Sequence, residues 1–433
     1  GDSSTLTLEN CQVKNNVAGI GGGIFTGFRS TTTVINCLFN GNDGSRAIST
    51  ERGGGAIATK SGGFLTIRNS EFSDNKGRLG GAVNSLLSSL RIENSKFIRN
   101  VAAGGVAGAV YVGGANASGP NATPGPVGGN IIIRKSLFEG NTAAEAGGAA
   151  YLFGYPSDRM LLEDSIFINN KAVDQGGAGG GVRQGNADLT VINCFFGNNT
   201  AQSHGGGLWL GESGNVNISN STFSGNRAGS VGGAMLVARR DSFSTNITNS
   251  TFANNIADGY SGGIGVFRDP VNSPITVKNS IFDRNTANNP HKTRQHTGWE
   301  LGNGGNNIQF PPKLTPDWAR DSNATANITI ADPLLGPLQY INGMFVRPPL
   351  PGTLASRMRI GAGAPGPSRA LLPGDNGSAG GSSDSLAVEV TLAPAEPPRK
   401  SEIPIFTEDP ILSKTPIKTK TPTQTQTPID TQT

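Results

Sequence analysis

The sequence predicts an all-β protein: a right-handed parallel β-helix of about ten three-strand coils, followed by a C-terminal cap and a disordered tail. Three observations predict this fold. The pattern aliphatic-x-Asn-Ser/Cys-x-Phe-x-x-Asn occurs, with small variations, ten times between Leu8 and Asn285. Successive copies are 25 to 41 residues apart, which is the range of solenoid repeats. Nearly every copy is followed by a Gly-Gly pair.

Two columns of the repeat are nearly invariant. After Val13 in the first copy, the aromatic column consists of Phe39, Phe72, Phe97, Phe138, Phe167, Phe196, Phe223, Phe252 and Phe282. After Asn16, the amide column consists of Asn42, Asn75, Asn100, Asn141, Asn170, Asn199, Asn226, Asn255 and Asn285. We expect each column to stack along the rod, with phenylalanine in the interior and asparagine as a hydrogen-bonded ladder.

The strands of one coil follow from the same repeat. An aliphatic residue precedes each Ser or Cys, as Val34 precedes Cys37, and alternation places it on the same inner side as the Phe. A third strand follows each glycine pair, as in Gly80-Gly-Ala-Val83. Coils about 4.8 Å apart give a rod roughly 48 Å long.

Local backbone requirements explain the composition. We expect the ladder asparagines to adopt the left-handed backbone of the corner, which Asn tolerates better than most residues. The chain contains 63 glycines, and the Gly-Gly pairs permit tight turns where a Cβ would clash. This glycine density, with no long segment of period 3.6, argues against a helical fold.

The pattern divides the chain into three parts. Residues 1–287 form the β-helix repeats. Residues 288–365 are an irregular loop and a cap that closes the end of the solenoid, where strand edges would otherwise be exposed. Residues 366–433 are a Gly/Pro/Ser- and Thr/Pro-rich linker or tail. Because Gly1 enters a strand without an initiator Met or export signal, we expect a processed piece of a longer protein.

Charge is spread along the chain, with 35 basic and 31 acidic residues. A nucleic-acid partner is not expected, because no basic face is clustered. No stretch is apolar for long enough to span a membrane. Charges alternate in one column through Arg68, Glu93, Arg134 and Glu163, which predicts a weak salt-bridge ladder on a solvated face.

The three cysteines, Cys11, Cys37 and Cys194, replace serine in one column, and small buried thiols are the favoured interpretation. Whether Cys11 and Cys37 are bonded stays open, since parallel side chains fit disulfide geometry poorly. His291, His296 and Glu300 match no strong zinc spacing, so neither a metal site nor a cofactor is expected.

The repeat also carries a family resemblance. Phe223-Ser-Gly-Asn226 followed by Gly232-Gly-Ala-Met235 resembles the repeats of chlamydial polymorphic outer-membrane proteins. The segment from Ile328 to Leu338, with Leu350-Pro-Gly352, is similar to the C-terminal part of secreted proteins of the choice-of-anchor Q type. The second family usually continues with Ser-Pro-Ala-Ile-Asp, where this chain has Thr353-Leu-Ala-Ser-Arg. Together the resemblances imply a surface or adhesive protein.

A binding hypothesis rests on three aromatic residues. If Val110, Ala150 and Leu208 point inward, then Tyr111, Tyr151 and Trp209 point outward on one face. Aromatic residues along a flat sheet favour stacking with sugars or contact with a partner protein. Alternatively, the loop 113–129 covers them and they are ordinary packing residues.

An enzymatic hypothesis rests on the turn after the amide ladder, at Glu145, Asp174 and His204. Two carboxylates on adjacent coils would repel, and a histidine beyond them would be a base, as in a polysaccharide lyase or glycoside hydrolase. Ordinary hydrophilic turn residues explain the same pattern.

The function favoured by the sequence is a secreted or cell-surface structural or adhesive β-solenoid, which binds glycans or partner proteins along one sheet face. The alternative is a polysaccharide lyase or glycoside hydrolase of the parallel β-helix class. In either case we expect an extracellular or outer-membrane-associated location, and a polysaccharide or a surface protein of a host or neighbouring cell as the partner.

Overall fold

A computed structural model describes residues 2–46, 53–117, 127–174, 176–239, 243–267, 274–289, 295–314, 321–341 and 344–358. The disordered tail that we expected over residues 366–433 lies outside the described residues, and so do His291 and most of the loop 113–129.

The described chain is a parallel β-helix, which confirms the predicted fold. Each full coil passes through four sheets, which we name A, B, C and D in the order in which the chain meets them. Like strands of successive coils pair in parallel, so that each sheet grows by one strand per coil.

The strands of sheet A are Thr5–Glu9, Thr31–Ile35, Phe64–Arg68, Ser89–Glu93, Asn130–Arg134, Arg159–Glu163, Asp188–Ile192, Val216–Ser219, Thr245–Thr248, Ile275–Lys278 and Gly302–Asn303. Those of sheet B are Gln12–Lys14, Leu38–Asn40, Glu71–Ser73, Lys96–Ile98, Leu137–Glu139, Ile166–Ile168, Phe195–Gly197, Thr222–Ser224, Thr251–Ala253, Ile281–Asp283, Ile308–Phe310 and Thr329–Ile330.

Sheet C contains Lys76–Gly77, Val101–Ala102, Thr142–Ala143, Lys171–Ala172, Thr200–Ala201, Arg227–Ala228, Ile256–Ala257 and Thr286–Ala287. Sheet D contains Ile24–Thr26, Ile57–Thr59, Val83–Leu86, Val110–Gly113, Ala150–Phe153, Val182–Gly185, Leu208–Glu212, Met235–Arg239 and Ile264–Val266. A hairpin, Gln339–Ile341 with Met344–Val346, and a short helix, Leu354–Met358, follow.

Sheet C was not predicted. Its strands are two residues long and come directly after the ladder asparagine, as in Thr142–Ala143 after Asn141. Two residues are too few to show alternation, although the buried Ala column at their second position, such as Ala143 and Ala172, is regular. The coil therefore has one more short strand than the three that we expected.

Phenylalanine rings fill the interior in a single column. Every ring from Phe39 to Phe282 is fully buried, and neighbouring rings stack with centroids 4.7 to 5.2 Å apart. The aliphatic column of sheet A, for example Ile92 and Ile133, faces the same core. Because the register between coils is constant, identical side chains meet and one packing solution is repeated along the rod.

The buried asparagines form a continuous ladder. In the middle of the rod, the Asn141 backbone N–H and Nδ2 donate to the Asn170 Oδ1 at 3.0 and 2.9 Å. The Asn141 Nδ2 also donates to the Phe97 carbonyl oxygen, one coil back, at 2.9 Å. Each interior amide thereby satisfies both its donors and its acceptor, which is what permits a polar column in the core.

The ladder asparagines do not adopt the left-handed backbone that we expected of them. The positive φ belongs to the preceding residue, as at Asn169 (59°), Asn198 (51°) and Gly140 (64°). A second left-handed position precedes each Ser or Cys, as at Asn36 with φ of 53°. The physical reason is that the ladder amide must point inward, so the adjacent, partly exposed residue makes the corner.

The Gly-Gly pairs have two distinct roles. The first glycine of a pair is left-handed, with φ of 68° at Gly147. At the second, Gly148, a Cβ would lie 2.0 Å from the Gly180 carbonyl oxygen of the next coil. An alanine at the second position would therefore collide with the backbone of the neighbouring coil, which agrees with the expected tight turn.

Amide side chains and a histidine close the C-terminal end of the rod. Gln309 takes the place of phenylalanine above Phe282, and its Oε1 accepts the Ala324 N–H at 2.7 Å. Above the ladder, the Asn285 Nδ2 lies 3.4 Å from the Nδ1 of the buried His296. The Gln295 side chain accepts from the Ala287 N–H and donates to the Ala287 carbonyl oxygen.

Part of the rest of the predicted cap also covers this end, since Ala324 and Ile328 join the core cluster and Thr329–Ile330 pairs with Ile308–Phe310. The hairpin instead packs on the outer face of sheet B, where Met344 and Val346 join Leu137, Ile166 and Phe195 in one buried cluster. The chain then returns, and Ala355 packs on Ile281 and Ile308 near the end of the rod. Apolar residues on the outer face of sheet B explain this position, because the hairpin buries them away from water.

Candidate functional site

The most distinctive surface of the described chain is a row on the outer side of sheet D. The strand register places Tyr111, Tyr151, Arg183 and Trp209 side by side on successive coils. Their inward neighbours Val110, Ala150, Val182 and Leu208 are fully buried. The structure thus brings together the three aromatic residues that the sequence singled out, and we call these four residues the sheet D row.

The members of the row stack on one another. The rings of Tyr111 and Tyr151 are stacked, with centroids 5.7 Å apart. The Arg183 guanidinium carbon lies 4.8 Å from the Tyr151 ring centroid and 4.3 Å from that of Trp209. Within the row, ring faces are therefore turned toward neighbouring coils and ring edges toward solvent. This differs from the sugar-stacking platform that we expected, which needs free ring faces.

Glycines beneath the row give the side chains room. A Cβ on Gly211 would lie 1.9 Å from the Trp209 ring, and one on Gly113 would lie 3.0 Å from the Tyr111 ring. Both glycines stand two positions after the aromatic residue and point to the same side of the sheet. The rings consequently lie along their own strands, close to the sheet, and are held rigidly.

The charge in the row is balanced locally. The Arg183 Nη2 lies 3.7 Å from the Glu212 Oε1. Burial raises the pKa of the Tyr151 hydroxyl above its ordinary value, and the nearby Arg183 only partly offsets this. The Tyr151 side chain is therefore neutral at physiological pH, and the row presents hydroxyl, guanidinium and ring-edge groups of nearly zero net charge.

The three candidate catalytic residues do not form a common site. Glu145 and Asp174 are both exposed turn residues. A tight turn from Asp174 to Gly177 shifts the register, so that the Ser203 N–H donates to the Gly177 carbonyl oxygen. His204 is consequently aligned with Ala178 and not with Asp174. Counting four residues from the ladder asparagine predicted that Ser203, beside His204, would lie over Asp174, and the extra residues of the turn make this count wrong.

His204 is held in a local packing contact. Its Nδ1 is hydrogen-bonded to the Ser203 hydroxyl, and its ring meets Phe267 edge to face at a centroid distance of 4.8 Å. Burial lowers the pKa of His204 to about 4. The ring is neutral at physiological pH, and its hydrogen bond to Ser203 and its packing against Phe267 account for its position.

The described residues contain no group of three or more His, Cys, Asp or Glu side chains placed to hold a metal ion. His296 is buried at the C-terminal end of the rod, next to the ladder residue Asn285, whereas Glu300 is exposed. Among all the described residues, no helix has the length and apolar character needed to cross a membrane. The cysteines are free, and the Cys11 N–H points to the Cys37 Sγ at 3.3 Å.

Comparison with known families agrees with the coil geometry. The family described as "Right handed beta helix region" matches residues 1–196 and 127–310, which together cover more than half of the chain. The chain belongs to the right-handed β-helix family. Membership fixes the hand of the solenoid and the path of each coil, but β-helices support many activities, so function depends on the particular surface.

A curated relative is similar over a short part only. The metabotropic glutamate receptor-like protein R of Dictyostelium discoideum is 41% identical over 81 residues. This match covers 19% of the present chain and 5% of the relative.

Sequence reasoning missed Arg183, Glu212 and the glycines beneath the rings. Arg183 was hidden because its coil has no aromatic residue at the position between Tyr151 and Trp209. Aligning the strands that follow each Gly-Gly pair would have found it. The stacking of ring faces had no signal in the sequence, since it depends on side-chain rotamers.

Proposed function

We propose that this right-handed β-helix is a structural and adhesive rod that binds a partner protein through the sheet D row. A single observation carries the proposal: Tyr, Arg and Trp side chains lie half-buried in one rigid row on a sheet. These residue types are enriched at the centres of protein interfaces, where rigid side chains lose little entropy on binding. The row offers ring edges, hydroxyls and one paired charge.

A protein partner fits this surface better than a glycan that binds by stacking. Sugar rings stack on exposed aromatic faces, whereas the faces of Tyr151 and Trp209 are turned toward Arg183. Backbone amides and polar side chains of a partner can reach the outward hydroxyl and guanidinium edges. The locally balanced charge favours contact with a surface that is not strongly acidic or basic.

We further propose that the rod is exported and displayed at a cell surface. The resemblance of its repeats to polymorphic outer-membrane proteins supports this, and so does the resemblance of residues 328–352 to secreted choice-of-anchor Q proteins. The glycan-processing alternative gains no support from Glu145, Asp174 and His204, which share no site.

The test is binding of the full chain to two immobilised panels, one of purified surface and matrix proteins and one of polysaccharides. We expect binding to at least one protein, weakened at least about tenfold by Arg183→Ala or Trp209→Ala. Phe64→Ala is the matched control, because Phe64 is 59% exposed but lies on sheet A. Unfolding temperatures confirm that each variant is folded.

The possible outcomes separate the alternatives. Polysaccharide binding that depends on Trp209 would replace the protein partner with a glycan. Binding that is unchanged in both row variants would move the site elsewhere. Failure to bind either panel would leave a structural rod without an adhesive role on this face.

A further inference from the structure

Arg183 is the charged member of the sheet D row, and its guanidinium is held in a fixed plane. The guanidinium carbon lies 4.8 Å from the Tyr151 ring centroid on the preceding coil and 4.3 Å from the Trp209 ring centroid on the next. Strand pairing places the three side chains side by side, so the two rings cover both faces of the guanidinium. A group held in this way loses little conformational freedom on binding, and its N–H edge is what remains for a ligand.

The N–H donors of this guanidinium are not filled by the described part of the chain. The Arg183 Nε is buried and has no hydrogen-bond partner there. The Glu212 Oε1 lies 3.7 Å from the Arg183 Nη2, which is beyond hydrogen-bonding distance. The Arg183 side chain is nevertheless 24% exposed. Because Nε is buried, the two terminal nitrogens, Nη1 and Nη2, form the edge that a ligand can reach.

Two other arginines of the rod make the hydrogen bonds that the sheet D row lacks. The Arg99 Nε and Nη2 donate to the two carboxylate oxygens of Asp74, both at 2.8 Å. Arg159 lies 3.8 Å from Asp188, a distance close to that in the row, but its Nη1 donates to the Asp158 carbonyl oxygen at 3.0 Å. An unfilled guanidinium edge is therefore a feature of the row and not of every loose ion pair on the rod.

Glu212 shows that a carboxylate has room beside this edge. Glu212 ends its strand with φ of 70°, and its Oε2 lies 2.9 Å from the position that a Cβ on Gly185 would occupy. Gly185 stands two residues after Arg183 on the same strand, so its missing side chain leaves space next to the guanidinium. Since 40% of the Glu212 side chain is exposed, it can turn into solvent and leave this space to a carboxylate with better geometry.

We propose that Arg183 is a carboxylate receptor, which binds an aspartate or glutamate side chain of the partner protein across Nη1 and Nη2 and displaces Glu212. This inference rests on the proposed function and names the chemistry that the row recognises. A bidentate pair with a carboxylate fits a planar and rigid guanidinium, whereas a lysine ammonium could not reproduce it. Because the other members of the row are uncharged, the partner presents one acidic residue among uncharged side chains.

The test uses two dipeptide probes that differ in one group. N-acetyl-Tyr-Glu-amide offers a carboxylate beside an aromatic ring, and N-acetyl-Tyr-Gln-amide is its neutral counterpart. NMR of the full chain follows the Arg183 Nε–H and the Trp209 indole N–H during titration. We expect the Glu dipeptide to shift both signals and to bind at least about tenfold more tightly than the Gln dipeptide. Equal binding of the two dipeptides would overturn the proposal.

Variants of the full chain separate a receptor from simple charge attraction. Arg183→Lys keeps the positive charge but loses the planar fork, so binding of the Glu dipeptide, followed at Trp209, should weaken at least about tenfold. Glu212→Gln removes the internal competitor and should strengthen this binding at least about threefold. Asp188→Asn is the matched control, because it removes the carboxylate of a similarly loose arginine pair on sheet A. Binding that is not strengthened by Glu212→Gln would contradict the proposal.

A third probe tests the source of the carboxylate. Methyl galacturonoside is an acidic sugar, and it should bind more weakly than the Glu dipeptide. Tighter binding of the sugar would assign the carboxylate to a polysaccharide and overturn the acidic protein side chain as the ligand.

Failure of this proposal can be told apart from failure of the proposed function. A panel protein whose binding requires Trp209 but is unchanged by Arg183→Lys and Glu212→Gln would overturn the receptor and leave the proposed function intact. Selective binding of the Glu dipeptide, without binding of any panel protein, would support the receptor and contradict the adhesive role.

Discussion

The two ends of the rod are built from the same columns but end in different ways. At the C-terminal end, the Phe column is succeeded by Gln309, and the Asn column meets His296. In the first described coil, Val13 is partly buried and Asn16 is exposed. The comparison teaches that the repeat ends toward the C-terminus through side chains that break its pattern.

At the C-terminal end of the rod, side-chain amides make hydrogen bonds in place of those that a further coil would make. The Gln309 Nε2 donates to the Pro311 carbonyl oxygen and the Asn323 Oδ1, both at 3.1 Å. The Asn307 Oδ1 accepts the Ser280 N–H at 3.0 Å, as the Ser hydroxyl does in earlier coils. These groups take over contacts that the Ser and Phe columns make in earlier coils.

The largest expected effect comes from interrupting the ladder within the rod. Asn170→Ala leaves the buried N–H and Nδ2 of Asn141 without their acceptor, and we expect it to lower the free energy of unfolding by about 3 kcal/mol or more. Asn16→Ala, in the first coil where the side chain is exposed, should change the free energy of unfolding by less than about 1 kcal/mol. Urea unfolding measures both. Similar losses of stability in the two variants would show that the exposed and the buried ladder positions contribute equally, against this prediction.

The second prediction concerns the sealed end and pH. Burial lowers the pKa of His296 to about 4, so the unfolded chain takes up a proton first as pH falls below about 6.5. The stability that depends on neutral His296 is complete above pH 6.5 and is lost toward pH 4, amounting to about 2 kcal/mol at pH 5. His296→Gln should remove this acid-dependent loss.

Hydrogen exchange at Leu301 and Ile308, recorded at pH 7 and pH 5, locates the effect at the sealed end. Backbone amides of the first coil, such as that of Asn16, serve as the control. After correction for intrinsic exchange rates, they should show no acid-dependent opening. Acid-dependent opening that persists in His296→Gln would assign it to another group.

A smaller effect of opposite sign is expected where the returning chain meets sheet B. Burial raises the pKa of Asp283 to about 6, although Arg284 lies 2.6 Å away. The folded chain therefore binds a proton that the unfolded chain lacks between about pH 4 and 6, and stability from this group decreases as pH rises through 6. Asp283→Asn should raise stability at pH 7 by roughly 1 kcal/mol, since the lost contact with Arg284 offsets part of the gain.

Thermal unfolding at pH 4 and pH 7 measures this change. The variant and the parent should unfold at similar temperatures at pH 4, where Asp283 is protonated. A variant that is less stable than the parent at pH 7 would show that the ion pair outweighs burial.

The last prediction involves no change in stability. Thiol labelling of the native chain should modify Cys11 first, Cys37 more slowly and Cys194 last. Cys11 is only partly buried, whereas Cys194 is fully buried and burial raises its pKa far above the ordinary value. Mass spectrometry of the labelled peptides gives the order, and early labelling of Cys194 would show that the middle of the rod opens.

Much of the fold was predictable because the repeat reports the same environment many times. The interior position of Phe97 and the ladder role of Asn100 follow from columns, and the structure places both in the core. The four-residue sheet D row was only partly predictable. Tyr111, Tyr151 and Trp209 were found, but Arg183 and its stacking between two rings were not.

The positions of residues outside the regular repeat were the least predictable from the sequence. The turn from Asp174 to Gly177 moved His204 away from the carboxylates, and no count of residues reveals which way an insertion bulges. The hairpin near Met344 packs on Phe195 and its neighbours, about 150 residues earlier in the chain. Such a contact depends on which apolar surface is left uncovered after the coils have formed.

The sequence by itself determined the columns: phenylalanine inside, amides in a ladder and glycines at the tight turns, because stacking like on like makes every coil report one local rule. Only the tertiary structure decided how the row of sheet D stacks and where the C-terminal segment lies. These features depend on rotamers and on contacts between distant segments, which occur once in the molecule and leave no periodic trace.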